Sequence, residues 1–287
     1  MLGHSFAGAH DRVVVTRTDQ AGVRITAIDC LDAELPFDPE RNTASRAVLE
    51  LVLLANGEDQ GFALEVHKGI PLASGMGGSA ASAVAAVVAA NALLSTPQEM
   101  EVLYAAACTG EAAASGAPHG DNVAPSLMGG LVIAPRRGAP VRVPVPDWLH
   151  VGLVHPHCRL ETRESRAVLA APFPLDQVTA QLEGLALVFS GCYQGDAELL
   201  KRGLYDVLAE PRRAPLIPGF DAVKEAALDC GALGASISGG GPSVFGWFAS
   251  RADAERGVAS MQSAFAGVSL ASDAYVGPVA GPKAEVI

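Results

Sequence analysis

A chain of 287 residues that is 49% hydrophobic and 18% charged can bury a sizeable core and is too apolar to be a disordered segment. Its net charge of −11, with no basic run, excludes a nucleic-acid surface as the main function. Five cysteines, Cys30, Cys108, Cys158, Cys192 and Cys230, are odd in number and show no Cys-x-x-Cys spacing, which excludes a disulfide framework and a zinc site and fits free thiols in a reducing cytoplasm. The chain opens without a signal-peptide pattern. Its longest apolar segment, 80–94, is too short to span a bilayer, so a soluble cytoplasmic protein without membrane partners is expected.

Val13 to Thr16 and Val23 to Ile28 are predicted strands, separated by a turn at Asp19 to Gly22. Asn42 is a good N-cap for a helix from Thr43 to Ala55, which Asn56-Gly57 ends. Phe62 to His67 alternates as a strand. Helices are expected over 79–94 and 98–114, and a hairpin from Gly130–Ala134 and Val141–Val145. A composition shift at Pro144 to Trp148 suggests a division into 1–147 and 148–287. Beyond it come a strand at Val151–His155 and helices near 162–170, 176–190, 196–208 and 219–229. Short strands at Ser236–Ile237 and Val244–Phe248, a helix near 251–265 and a strand near 269–276 complete the chain. Strands and helices mix without strict βαβ alternation, so the class is α+β.

Between the strand at 62–67 and the next helix stands Pro71-Leu72-Ala73-Ser74-Gly75-Met76-Gly77-Gly78-Ser79-Ala80-Ala81. Glycines there let the backbone turn tightly and approach a ligand, and the helix that follows offers unpaired N–H groups and a positive dipole end. Together these make a phosphate cradle. A plain turn before a core helix would use the same residues, and the residues alone leave both readings open. The spacing is neither a Walker A loop nor a Rossmann fingerprint. A second cluster, Gly239-Gly240-Gly241, falls between two short strands. It is either a sharp hairpin corner or a backbone that packs tightly against another loop or a ligand. Glu111 lies in an otherwise apolar helix, where a carboxylate needs a cation, a partner or solvent. His119, Asp121 and Asn122 follow in a segment of small residues expected to be a loop.

The full pattern Pro-x-x-x-Gly-Met-Gly-Gly-Ser-Ala-Ala resembles the phosphate loop of the GHMP kinases, the small-molecule kinases of galactose, homoserine, mevalonate and phosphomevalonate. The Gly239–Gly241 cluster resembles their third motif, which packs beside that loop. Glu111 with His119-x-Asp121-Asn122-Val123-Ala124-Pro125, Thr162-Arg163-Glu164-Ser165-Arg166 and Glu210-Pro211-Arg212-Arg213 through Phe220 resemble the homoserine kinase branch in particular. The similarity runs from Gly3 to about Tyr275.

The resemblance implies a ribosomal-protein-S5-like N-terminal domain and a ferredoxin-like C-terminal domain. It implies an ATP-dependent kinase that phosphorylates the hydroxyl of L-homoserine for threonine biosynthesis, with no dedicated general base. Residues 71–81 would wrap the ATP phosphates, Ser79 and Glu111 would hold Mg²⁺, and His119, Thr162, Arg166 and Arg213 would contact homoserine. Arginine forks suit a carboxylate and oxygen ligands suit Mg²⁺. A homodimer is compatible with the sequence. Gly78 stands where many relatives have serine. Ahead of Gly3 the family carries a further strand and a Ser-x-Asn-x-x-x-Gly-Phe-Asp-type first motif. This sequence does not contain them, so an asparagine and an aspartate contact to homoserine are expected to be missing, with reduced turnover and stability. Another GHMP small-molecule kinase, or a non-catalytic GHMP-fold ligand-binding protein, remain the alternatives.

Overall fold

The computed structural model describes residues 2–6, 8–30, 34–57, 59–116 and 118–287. In chain order it begins with a short strand, β1 (Leu2–His4), which the sequence pattern did not reveal, then β2 (Arg12–Thr18) and β3 (Gly22–Asp29). Helix α1 (Thr43–Leu54) starts at Asn42, whose side chain accepts from the Ala44 amide as a cap should. Strand β4 (Gly61–His67) then enters between β2 and β3, antiparallel to the first and parallel to the second. Its alternation turns Phe62, Leu64 and Val66 inward, all essentially buried.

Helices α2 (Gly78–Ala92) and α3 (Met100–Ser115) pack with α1 over that sheet. Ala80, Ala83, Ala86 and Ala90 of α2 are fully buried, and their small side chains allow close helix approach. The segment of His119, Asp121 and Asn122, expected as a loop, instead caps and opens helix α4 (Gly120–Met128). Its small and polar residues hid it, yet it buries Val123 and Leu127 against α2 and α3 and Ala124 beside Val132 of the following strand. Strands β5 (Leu131–Ile133) and β6 (Val141–Val143) form the expected hairpin, and β1 joins the free side of β5.

Strand β7 (His150–Pro156) is buried on both faces. It precedes α5 (Thr162–Ala167), α6 (Leu175–Gln194), α7 (Ala197–Gly203) and α8 (Glu210–Arg213). Two helices are shorter than expected: α5 stops at Ala167 rather than 170, and α7 at Gly203 rather than 208. Beyond α7, the Asp206 carboxylate accepts from the amides of Leu208, Ala209 and Glu210, a turn that competes with helix. Helix α9 (Phe220–Asp229), strands β8 (Gly234–Ile237) and β9 (Val244–Phe248), α10 (Arg251–Gly267) and β10 (Ser272–Pro278) follow. The sheet runs β10-β7-β9-β8, antiparallel throughout. One face packs on α9 and α10 through Phe248, Val223, Met261 and Phe265. The other, through Val151 and Trp247, meets Val188 of α6, Leu200 of α7, and Leu131 and Val143 of the β1-β5-β6 sheet. That shared apolar cluster joins the β1-β5-β6 sheet to the four-stranded sheet.

Candidate active site

The 71–81 loop leads from β4 into α2. Gly77 occupies the N-cap in the left-handed region, φ +75°, and supplies no side-chain cap. The first turn of a 15-residue helix is therefore left to another acceptor. Gly78 is already helical, so the loop proper ends one residue earlier than the motif suggests. A Cβ on Gly75, φ +76°, would lie 2.2 Å from the Ser238 carbonyl oxygen, which makes glycine obligatory there.

The two glycine clusters are in direct contact. Ser238 Oγ donates to the Gly75 carbonyl at 3.0 Å, and Ser243 donates to the Ser74 carbonyl from Oγ at 2.7 Å and from its amide at 3.2 Å. His155 Nδ1 lies 3.1 Å from Ser243 Oγ. Since that hydroxyl spends its proton on Ser74, the histidine nitrogen is the donor of the pair. The Gly239–Gly241 segment is thus a packed surface rather than a simple corner.

Glu111 projects from α3 toward the first turn of α2 and is 6% exposed. Burial pushes its carboxyl up to about 7; a hydrogen bond from the Ser79 hydroxyl opposes this, the Asp121 charge adds to it, and Arg166 and Lys68 pull it back down. The two residues expected to hold a metal are therefore hydrogen-bonded neighbours. His119 is the N-cap of α4 but caps nothing with its side chain. Its Nε2 and Asp121 Oδ1 are buried atoms with no hydrogen-bond partner among the described residues. Such atoms are costly unless a ligand meets them.

Arg166 and Arg213 approach from the other side. Arg166 is felt by both Glu111 and Arg213. Arg213 is less free than its sequence role implied: Nε donates to the Ser165 carbonyl at 3.1 Å and Nη1 to the Gly239 carbonyl at 2.8 Å. Ser165 Oγ also donates to the Gly240 carbonyl at 2.7 Å. Much of the Arg213 fork therefore braces the third motif, leaving Nη2 for a ligand. The Thr162 backbone begins α5, and its side chain, like Met1, lies outside the described residues.

Sequence reasoning missed Asp11, Lys68 and Ser82, which form a buried polar cluster beneath the loop. It also missed the linking roles of His155 and Ser165. No local pattern marks these residues, because each partner comes from a distant segment.

Among known proteins, the chain matches the GHMP kinases N terminal domain over residues 42–130 and the GHMP kinases C terminal domain over 188–267. It is 51% identical to a homoserine kinase of Xanthomonas campestris pv. campestris (strain B100), over 100% of this chain and 88% of that protein. Its structure superposes on the crystal structure of homoserine kinase from Cytophaga hutchinsonii with a TM-score of 0.94, at 40% identity, covering 100% of this chain and 91% of the other. A mevalonate kinase of L. major, at 15% identity and a TM-score of 0.69 over 96% of this chain and 87% of that one, shares the fold. The chain belongs to the homoserine kinases of the GHMP kinase family, phosphotransferases that act on an alcohol.

Proposed function

We propose that the chain transfers the γ-phosphoryl group of ATP to the side-chain hydroxyl of L-homoserine, using Ser79 and Glu111 for Mg²⁺ and His119, Arg166 and Arg213 for the amino acid. The observation that carries these assignments is the convergence of three features: an uncapped helix N-terminus, a buried carboxylate bonded to Ser79, and an Arg166 guanidinium close enough for its charge to act on both Glu111 and Arg213.

The fit to Mg²⁺ rests on the donors. Ser79 and Glu111 offer hard oxygens side by side, and the raised Glu111 pKa marks a carboxylate that a cation would relieve. Among the described residues no three His, Cys, Asp or Glu side chains form a metal cage. Mg²⁺ held partly by substrate phosphates does not need one. The bound ion would neutralise charge on the phosphates.

The α2 amides would receive phosphate oxygens, with the loop wrapped around them. Arg166 and the free Nη2 of Arg213 would grip the homoserine carboxylate, and Asp121 Oδ1 would meet its ammonium group. His119 Nε2 would orient the substrate. No side chain is assigned as general base, since phosphoryl transfer is carried mainly by positioning and charge neutralisation. We assign residues 1–147 to an ATP-binding domain and 148–287 to a second domain, with a family match on either side of that division. A cytoplasmic setting is supported by five free cysteines. No described helix is long and apolar enough to cross a membrane.

The test is coupled detection of ADP release by the purified chain with L-homoserine, mevalonate or galactose as acceptor. Release that depends on homoserine alone is expected. Release no faster with homoserine than without an acceptor would overturn the proposal.

A further inference from the structure

We infer that Lys68 is a positioning residue for the phosphate loop, fixing its downstream end while its ion-pair partner Asp11 fixes the upstream end. This rests on reading 71–81 as the phosphate loop.

Lys68 directly follows β4, and Asp11 lies just ahead of β2, 57 residues earlier. Their side chains are 5% and 0% exposed and form an ion pair. Burying two charges is expensive, and apolar residues of similar volume often serve stability as well or better. The detailed bonding shows what the pair holds. Asp11 Oδ1 accepts from the amides of Gly69 and Ile70, both at 3.0 Å. Asp11 Oδ2 accepts from Lys68 and from Ser82 Oγ, the latter at 2.6 Å.

Lys68 has three N–H donors. One goes to Asp11, one to the Gly78 carbonyl at 2.7 Å and one to Ser82 Oγ at 3.0 Å. None remains for an ATP phosphate, so Lys68 acts through the backbone. Both ends of the loop are clamped closely. A Cβ on Gly69 would come 2.1 Å from the His10 carbonyl oxygen, and one on Gly78 would meet Ile70 Cγ2 at 3.2 Å and Lys68 Nζ at 3.3 Å. The glycine-rich apex is conformationally permissive by composition. Anchoring both ends sets where the α2 first turn stands, and Ser79 with it. That is preorganisation of an anion site before the ligand arrives.

The double variant Asp11→Asn, Lys68→Met tests this without leaving a lone buried charge. Asparagine still accepts from the Gly69 and Ile70 amides, and methionine keeps the length of lysine without its donors. Expected are a drop of about tenfold or more in MgADP affinity by calorimetry and a matching rise in KM for ATP. KM for homoserine at saturating ATP should stay within about twofold, with a near-native melting temperature. Ser82→Ala, which removes two hydrogen bonds, one to Asp11 and one from Lys68, and no charge, should weaken MgADP by about threefold, and it carries the test if the double variant does not fold. MgADP binding within about twofold of the parent in the variant read would overturn the inference, as would equal rises in both KM values. Failure of the parent itself to bind MgADP would instead overturn the phosphate-loop reading, and the inference with it.

Discussion

Replacing Glu111 with glutamine should make the metal-free protein more stable at neutral pH while removing most of its activity. The carboxyl titrates near 4.5 in an unfolded chain and near 7 in the folded one, chiefly because it is buried. Between those values the native state keeps a proton that the unfolded state has lost. The stability contributed by this group is therefore fully present below about 4.5 and is lost as pH rises through 7. At about 1.4 kcal/mol per pH unit, the interval amounts to roughly 3 kcal/mol. Glutamine carries no charge to desolvate and can still accept from Ser79. In urea titrations with a chelator, the parent should lose stability between pH 5 and 8, and Glu111→Gln should lack that component. Added MgADP should stabilise the parent more than the variant, and kcat/KM should fall by about a hundredfold or more in the variant. The same pH slope in both proteins would show that Glu111 is not the titrating group. Activity within about twofold of the parent would remove it from the metal site.

The two arginines should separate kinetically. Arg166→Lys should raise KM for homoserine by about tenfold with little change for ATP, whereas Arg213→Lys should raise both, because it also loses its bonds to the Ser165 and Gly239 carbonyls. Gly77→Val forces a side chain into φ +75° and crowds Asn122, so calorimetry should show no MgADP binding while circular dichroism stays near native. Ser243→Ala removes the hydroxyl that donates to the Ser74 carbonyl and meets His155 Nδ1, while the Ser243 amide still reaches that carbonyl, and chemical denaturation should show a loss of about 1 kcal/mol.

Local signals carried far in this chain. The Asn42 cap, the β4 alternation and the alanine-rich helix after the glycine loop were all readable, because each rests on neighbours in sequence. The α4 helix was not: residues 119–125 look like a loop until α2 and α3 supply the surface that Val123 and Leu127 bury against. Strand β1 escaped for a related reason, since three residues show no periodicity and its partner β5 lies far along the chain. In the site, the glycine clusters, Glu111 and the arginines were visible as residues. What they touch was not. The family resemblance implies a substrate contact for Arg213, and only the fold shows two of its nitrogens turned onto backbone carbonyls.

How an acidic chain would hold a polyanion at the 71–81 loop follows from where its carbonyls go. The 71–81 segment contains no lysine or arginine, and the protein carries a net charge of −11. The carbonyls of Ser74, Gly75 and Gly78 are each taken by donors from other segments: Ser243, Ser238 and Lys68. In a trans peptide the carbonyl and the following N–H point opposite ways, so fixing these three oxygens aims the amides of Gly75, Met76 and Ser79 away from their donors. Met76 spends its amide on Ser74 Oγ, which leaves those of Gly75 and Ser79. An anion site needs N–H groups presented and carbonyls withdrawn, and here both result from the same contacts. Two of the three donors sit on the loop between β8 and β9. An attraction of this loop for phosphate would therefore be set by packing between distant loops and would require no basic residue in the loop.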